Sequence, residues 1–191
     1  MPFLSESDRC AALQLARTAV VEAIAHRKLP DVFPREGIFA ERHGVFVTLH
    51  VRNRLQGCIG VIEANEPLGE AIIRCAASAA LEDPRFAPMR TDQLGELSIE
   101  ISLLSPMEPI APESIELGHH GLFVRLHAQR GLLLPQVAIE HRLTREQFLE
   151  ETCRKAGLPR EAWRDPEARL FGFTCEILSE RSHHGEPEGF S

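Results

Sequence analysis

Cys58 is the residue whose type and setting most directly suggest chemistry, because Gly57 precedes it and Gly60 follows it in the strand-like stretch 55–60. A cysteine becomes a nucleophile when a neighbouring base, cation or metal removes its proton. Glycine weakens a strand, so two glycines beside one cysteine indicate a close approach to the backbone or a bulge. A small residue packed inside a tight strand explains the same pattern. The stretch therefore predicts a candidate thiol site, with a packing role as the alternative.

The turn before this stretch decides where the thiol points, because a slip of one residue exchanges the two faces of a strand. A three-residue loop over 52–54 keeps the apolar faces of the two strands together and places Cys58 opposite Thr48. A two-residue loop over 53–54 instead places Cys58 opposite Leu49. We expect the first register, because it keeps the apolar residues on one side.

The residues around Cys58 are the next candidates for a functional role. In the expected register His50 lies diagonal to Cys58 and is the candidate general base. Gln56, Gly57 and Gly60 are candidate binding residues, since glycines leave room for a substrate beside the thiol. The hairpin is thus expected to carry both the reactive group and part of its ligand site.

Four further polar residues are candidate binding groups in other segments. Asp83 and Arg85 occur in a proline-rich loop, where we interpret them first as a local ion pair and second as ligand contacts. Gln136 and Glu140 follow a predicted strand end, and Glu140 is a candidate base or partner for a substrate amine. A capping or salt-bridge role is the favoured reading of these last two.

The pattern of elements predicts an α+β fold, made mainly of antiparallel sheet with packed helices and two subdomains. Hydrophobic periodicity predicts helices over 5–28, from 65–67 to about 82, and from Thr144 to about Gly157. It predicts strands over 45–51, 55–62, 97–104, 122–127, 132–134 and 171–177. We expect residues 1–178 to form one globular unit and 179–191 to form a polar, flexible tail.

Composition excludes several classes of protein and disfavours others. A chain of 191 residues, 43% of them hydrophobic, buries a full core without disulfides, and its five cysteines form no C-x-x-C pair. No apolar run is long enough to span a membrane and no signal peptide is recognisable, so we expect a cytoplasmic protein. The net charge of −7 disfavours nucleic acid as the main partner, although one local basic groove is compatible with it.

Histidine spacing disfavours an intrinsic metal site. The adjacent pairs His119-His120 and His183-His184 point to opposite sides of an extended chain, and no helical H-x-x-x-H is present. No phosphate-binding or dinucleotide signature occurs either. We therefore predict no metal and no cofactor.

Four separated motifs, taken in order, resemble the signature stretches of the AMMECR family, whose bacterial members are called AmmeMemoRadiSam system protein A. They are LQGCIG at 55–60, DPRFAP at 83–88, GLLLPQVA at 131–138 and CRKAGL at 153–158. The resemblance covers about residues 5–178 and departs from the family pattern at Gln56, where arginine is usual, and at Leu143, where an aromatic residue is expected. Glutamine cannot supply the guanidinium fork that binds a phosphate or carboxylate.

The resemblance implies a compact α+β unit of two subdomains, with 55–60 near their junction. It also implies a pathway with two partners, a Memo-type protein and a radical S-adenosylmethionine protein, by gene association. Two hypotheses follow. One is a substrate-handling or enzymatic subunit whose cleft positions a small molecule or peptide for thiol chemistry at Cys58. The other is a non-catalytic partner that docks through the same stretch, and the sequence leaves open whether the protein is an enzyme.

Overall fold

The computed structural model describes residues 4–63 and 65–180 and has an α+β fold with two antiparallel sheets, which confirms the predicted class. The helices are α1 (Glu6–His26), α2 (Leu68–Leu81), α3 (Pro135–Glu140) and α4 (Arg145–Lys155). The strands are β1 (Val45–Val51), β2 (Arg54–Val61), β3 (Leu97–Leu104), β4 (Glu108–Pro109), β5 (Gly121–Leu126), β6 (Gln129–Leu133), β7 (Arg169–Phe173) and β8 (Cys175–Ser179). Short 3-10 turns connect several of them.

Two compact units divide the chain, and each is described by itself. The first unit comprises Met1–Ser102 and Ile177–Ser191, and the second comprises Leu103–Glu176. One sheet has the strand order β2-β1-β3-β8 and the other has the order β4-β7-β5-β6. No described helix is both long enough and apolar enough to cross a membrane.

Helix α1 begins and ends with signals that the sequence carries. The Ser5 hydroxyl accepts a hydrogen bond from the backbone N–H of Asp8 at 3.2 Å, as a helix N-cap does. The helix ends at His26, and the C-cap residue Arg27 has a left-handed backbone with φ of 54°. The predicted helix over 5–28 is therefore confirmed to within two residues at each end.

Small side chains allow α2 to pack closely on β1 and β2 in the first unit. The inward residues of β1 are fully buried, and α2 contributes a face of small buried residues, Ala71, Cys75, Ala76, Ala79 and Ala80. Alanine and cysteine keep the helix near the sheet, because no long side chain separates the two backbones. This packing sets the distance between α2 and β2, the strand that carries Cys58.

Two buried clusters of the second unit pack on one face of its sheet. Val124, Leu126 and Cys153 belong to one buried cluster, and Leu122, Phe148 and Leu149 belong to another. Leu143, which replaces an expected aromatic residue, packs against the cluster around Phe148. Helix α4 begins with the predicted capping box between Thr144 and Gln147.

Two predicted elements differ from the observed ones, and one observed helix is not among the predicted elements. The predicted last strand over 171–177 is two strands in two sheets, β7 and β8, because the chain changes sheet at Thr174. The segment after β6 is the short helix α3, which begins with Pro135 at a position that favours a helix start. The strand β6 begins at Gln129, since His127 and Ala128 alone form the turn. Of the predicted tail over 179–191, Ser179 belongs to β8, and the residues from 181 onward lie outside the described part of the chain.

Candidate functional site

The β1–β2 turn is shorter than we expected, and a bulge restores the register. Arg52 and Asn53 both have positive φ, 51° and 64°, and form a two-residue turn that pairs Val51 with Arg54. The predicted loop over 52–54 is therefore wrong, and the predicted pairing of Val51 with Leu55 is wrong with it. The alternative loop over 53–54 is wrong as well.

The pairing of Cys58 with Thr48 is nevertheless confirmed. His50 pairs with Leu55 and Leu49 pairs with Gly57, so Gln56 is an extra residue on β2. One extra residue shifts the register by one position, as a β-bulge does, and brings Cys58 opposite Thr48. Two differences from the prediction, one at the turn and one at Gln56, thus compensate each other.

The sulfur of Cys58 lies on a half-buried face of the sheet and contacts a hydroxyl group. The Thr48 Oγ1 hydroxyl donates a hydrogen bond to Cys58 Sγ at 3.3 Å. Cys58 has intermediate exposure, whereas its neighbour Gly57 is buried on the other face of β2. Thr48 is a site residue that the sequence reasoning did not propose, although the expected register already placed it opposite the cysteine.

Close packing explains both glycines of the stretch. A Cβ atom on Gly57 would lie 2.0 Å from the backbone oxygen of Ala79 in α2. A Cβ atom on Gly60 would lie 2.3 Å from the ring of Phe46 on β1. The space beside these two glycines is therefore filled by the protein itself, and their role as ligand-binding residues stays a prediction.

The 83–88 loop forms hydrogen bonds with both backbone groups of Cys58, its N–H and its carbonyl. Asp83 Oδ2 accepts a hydrogen bond from the Cys58 N–H at 2.8 Å, and Arg85 Nη2 donates one to the Cys58 carbonyl at 3.1 Å. The two side chains also bind each other, with Arg85 Nε and Nη2 at 2.9 and 2.7 Å from the two Asp83 oxygens. We call Asp83 and Arg85 the clamp of Cys58.

The clamp is an ion pair in which the Asp83 side chain is buried and the Arg85 side chain is exposed. The side chain of Asp83 is 2% exposed and that of Arg85 is 56% exposed. The hydrogen bonds from the Arg85 guanidinium are the main cause that holds the pKa of Asp83 well below its ordinary value. Burial acts in the opposite direction and raises this pKa, whereas the backbone hydrogen bonds from Cys58 and Arg85 lower it further. The hydrogen bond to Asp83 in turn raises the pKa of Arg85. The interpretation as a local ion pair agrees with this geometry, and a role in ligand binding stays a prediction.

Gln56 joins the same loop at a second point. Its Nε2 donates a hydrogen bond to the Ala87 carbonyl at 3.2 Å, so the bulged residue ties β2 to the 83–88 loop. A glutamine amide makes this contact without a charge. Gln56 therefore attaches the 83–88 loop to β2 without adding a charge.

The remaining candidates lie on β1 and in the second unit. His50 is half-buried and pairs across the hairpin with Leu55. Gln136 and Glu140 belong to α3 of the second unit, where Gln136 is half-buried and Glu140 is exposed. Cys58, Gln56 and the clamp are thus brought together in the first unit, and the roles of His50, Gln136 and Glu140 stay predictions.

The other cysteines provide a measure of how accessible Cys58 is. Burial raises the pKa of Cys75 to about 11 and is also the main cause that raises the pKa of Cys153. Cys10 is exposed, and Cys58 and Cys175 have intermediate exposure. Within residues 4–63 and 65–180, no three His, Cys, Asp or Glu residues form a cluster that could hold a metal ion.

Comparisons with known proteins agree in extent and in fold. A family model described as AMMECR1 matches residues 13–178. A protein of Methanothermobacter thermautotrophicus is 42% identical, over 93% of this chain and 96% of its own length. One of Aquifex aeolicus is 38% identical, over 92% of this chain and 94% of its own length. The crystal structure of an uncharacterized protein from Pyrococcus horikoshii is 39% identical, covers 87% of this chain and 88% of its own, and has a TM-score of 0.78. The chain belongs to the AMMECR1 family.

Proposed function

We propose that this protein is a substrate-handling component of a multi-protein modification pathway, and that Cys58 is the thiol that meets the substrate. The observation that carries the proposal is the setting of the sulfur. Cys58 is partly exposed, its sulfur is held by the Thr48 hydroxyl, and its backbone is fixed by the clamp. A side chain held in one position by its neighbours is what a reacting group requires.

A Memo-type protein and a radical S-adenosylmethionine protein are the partners that we propose, on the basis of the family resemblance. A small molecule or a peptide is the proposed ligand, and the cytoplasm is the proposed compartment, because five cysteines without a pairing pattern suit a reducing environment. Transfer of a group to or from the thiol is the type of chemistry that the site suits best.

Alkylation of individual cysteines tests the proposal directly. Native protein is treated with iodoacetamide across a pH series, and labelling at each cysteine is followed by mass spectrometry of its peptides. We expect Cys58 to react much faster than Cys75, because the latter is buried and its pKa is about 11. Exposed Cys10 is the control for reagent access. A Cys58 that reacts no faster than Cys75 would contradict the proposal.

A second function, a non-catalytic partner protein, is favoured by one observation. Both glycines of the stretch are needed for packing against Ala79 and Phe46, so they give no independent sign of a substrate pocket. In this case the half-exposed face of β1 and β2 is a docking surface. Co-purification with the two proposed partners, using wild type and Cys58→Ser, separates the functions. Association and product formation that both survive in C58S support the docking role, whereas retained association with lost product supports the thiol role.

A further inference from the structure

A cavity of about 290 Å³ lies at the β4 edge of the second sheet, where β4 is the outermost strand. It is lined by residues within 105–110, by His120 and by the segment 172–174. All of these residues belong to the second unit. Small-molecule sites in proteins begin at about this size. We call this space the edge cavity.

Part of the wall of the edge cavity is apolar. Gly172 on β7 pairs with Glu108 on β4, and a Cβ atom on Gly172 would lie 2.8 Å from Ile110 Cδ1. The absence of a side chain at Gly172 therefore gives the Ile110 side chain its place beside β7. Pro106 and Pro109 add further apolar surface. An apolar group of a ligand thus has side chains to contact within the cavity.

Two polar side chains of the edge cavity have unused hydrogen-bonding capacity. The Glu108 carboxylate forms no ion pair and no hydrogen bond with any residue of 4–63 or 65–180, and the same is true of the Thr174 hydroxyl. The Ser105 hydroxyl is different, because it accepts a hydrogen bond from the Thr174 N–H at 2.9 Å and donates one to the Pro106 carbonyl at 3.0 Å. The cavity therefore contains one unpaired negative charge, that of Glu108.

His120 supplies a hydrogen-bond donor of fixed identity. The backbone N–H of Glu116 donates a hydrogen bond to His120 Nδ1 at 3.0 Å. A ring nitrogen that accepts carries no proton, so the neutral imidazole has its proton on Nε2. This Nε2–H donates to no side chain or backbone group in the described part of the chain. His120 is half-buried and lines the cavity, where its N–H is available to a ligand.

We propose that the edge cavity binds a free α-amino acid with an apolar side chain. The Glu108 carboxylate suits the ammonium group, the His120 Nε2–H suits the carboxylate, and the surface around Ile110 suits the side chain. A metal ion fits less well, because a protonated Nε2 has no lone pair to give. A phosphate fits less well, because Glu108 repels it. This binding goes beyond the thiol function and does not involve Cys58, which belongs to the first unit.

Titration of the ¹⁵N-labelled full chain with L-leucine, followed by NMR, tests the proposal. Amide signals of 105–110 and 172–174 should shift, and the ring signals of His120 should show the Nε2–H tautomer. Two analogues each lack one charged group: 4-methylpentanoate lacks the ammonium and 3-methylbutylamine lacks the carboxylate. Each should bind wild type at least about tenfold more weakly than leucine does, because each loses a charge-assisted hydrogen bond.

Glu108→Gln should weaken leucine binding by about tenfold or more and should not weaken 4-methylpentanoate binding, since the charge that it removes faces only the ammonium. The variant should fold, because the carboxylate has no partner among the described residues. Glu113→Gln is the matched control, because Glu113 is an exposed carboxylate of the same unit outside the cavity, and it should bind leucine within about twofold of wild type.

Three results would overturn the proposal. The first is that leucine causes no shift at the cavity in wild type up to about 10 mM. The second is that E108Q binds leucine as tightly as wild type does. The third is that wild type binds 4-methylpentanoate as tightly as leucine, which would mean that no ammonium group is recognised. None of these results bears on the alkylation of Cys58, so the two proposals fail separately.

Discussion

The backbone of Gly57 lies so close to α2 that a single methyl group has no place, since the Cβ position is 2.0 Å from Ala79 O. The atom it would meet is a backbone oxygen and not the end of a flexible side chain. Relief therefore requires that the helix or the strand moves, and every small residue on the buried face of α2 is displaced with it.

Gly57→Ala should lower the free energy of unfolding by about 2–4 kcal/mol, because overpacking strains the contact between α2 and β2. Urea unfolding followed by circular dichroism measures the effect. Gly95→Ala is the matched control, since nothing lies within 4 Å of its Cβ position, and it should change stability by less than about 0.5 kcal/mol. Equal effects of the two substitutions would show that the close approach at Gly57 is not strained.

Asp83→Asn should lower the free energy of unfolding by about 2–4 kcal/mol near neutral pH. The amide keeps the shape of the side chain but turns one acceptor into a donor that faces the donors of Cys58 and Arg85. The pKa of Asp83 is lower in the folded protein than its ordinary value of 3.8. The carboxylate therefore contributes its full stability above the ordinary value and loses it as the pH falls through the lower, folded value.

A pH series of urea unfolding measures this dependence. The difference between wild type and D83N should be constant above about pH 5 and should shrink as the pH falls below 3.8. Asp92→Asn is the control, because the Asp92 side chain is 62% exposed in its ion pair with Arg90 and should contribute little. A difference that does not change with pH would mean that the charge of Asp83 is not what stabilises the loop.

At the scale of elements, the end of α1 is an unfavourable point that can be improved. Arg27 adopts a left-handed backbone, which costs energy for a residue with a Cβ atom and costs glycine little. Arg27→Gly should raise the free energy of unfolding by about 0.5–1 kcal/mol in urea unfolding. Lys28→Gly, one residue later, should lower it, because it adds freedom to the unfolded chain and removes the ion pair with Glu22. A loss of stability in R27G would contradict the assignment of this cap.

The sequence predicts elements well where local periodicity or capping decides them. Ser5, Thr144 and the alternating residues of β1 carry their signals within a few positions, and these elements occur where we expected them. The bulge at Gln56 is different, because the side chain of the extra residue hydrogen-bonds to Ala87, which lies 31 residues further along the chain. The register of Cys58 was right only because two local errors cancelled.

The contacts that the sequence does not reveal join residues that lie far apart along the chain. The spacing of Asp83 and Arg85 in the sequence predicts their ion pair. Their hydrogen bonds to both backbone groups of Cys58 are not predictable in this way, because they require β2 to lie beside the loop. Arg125, Arg130 and Arg169 likewise lie next to one another only because three separate strands pair. The correct turn at His127 and Ala128 would have aligned Arg125 with Arg130, whereas nothing local aligns Arg169 with them.

At the scale of the whole molecule, two side chains report on the two units separately. Trp163 is the chain's single tryptophan and packs against both buried clusters of the second unit. Cys75 is fully buried in α2 of the first unit. In Gly57→Ala, Cys75 should become reactive toward iodoacetamide at a lower urea concentration than in wild type, while the midpoint of the Trp163 fluorescence change stays the same. Equal shifts of both probes would show that the two units unfold as one.

The clamp also determines how a second molecule can approach β2, which is the outermost strand of its sheet. An uncovered outer strand invites pairing with another chain, and that is a route to fibrils. At Cys58 the outward N–H and carbonyl are already occupied by Asp83 and Arg85, so polymerisation by strand addition is blocked at this position. A ligand of the thiol must therefore approach across the face of the sheet and not along its edge. Loss of the clamp would lower the stability of the protein and would also leave this edge open to aggregation.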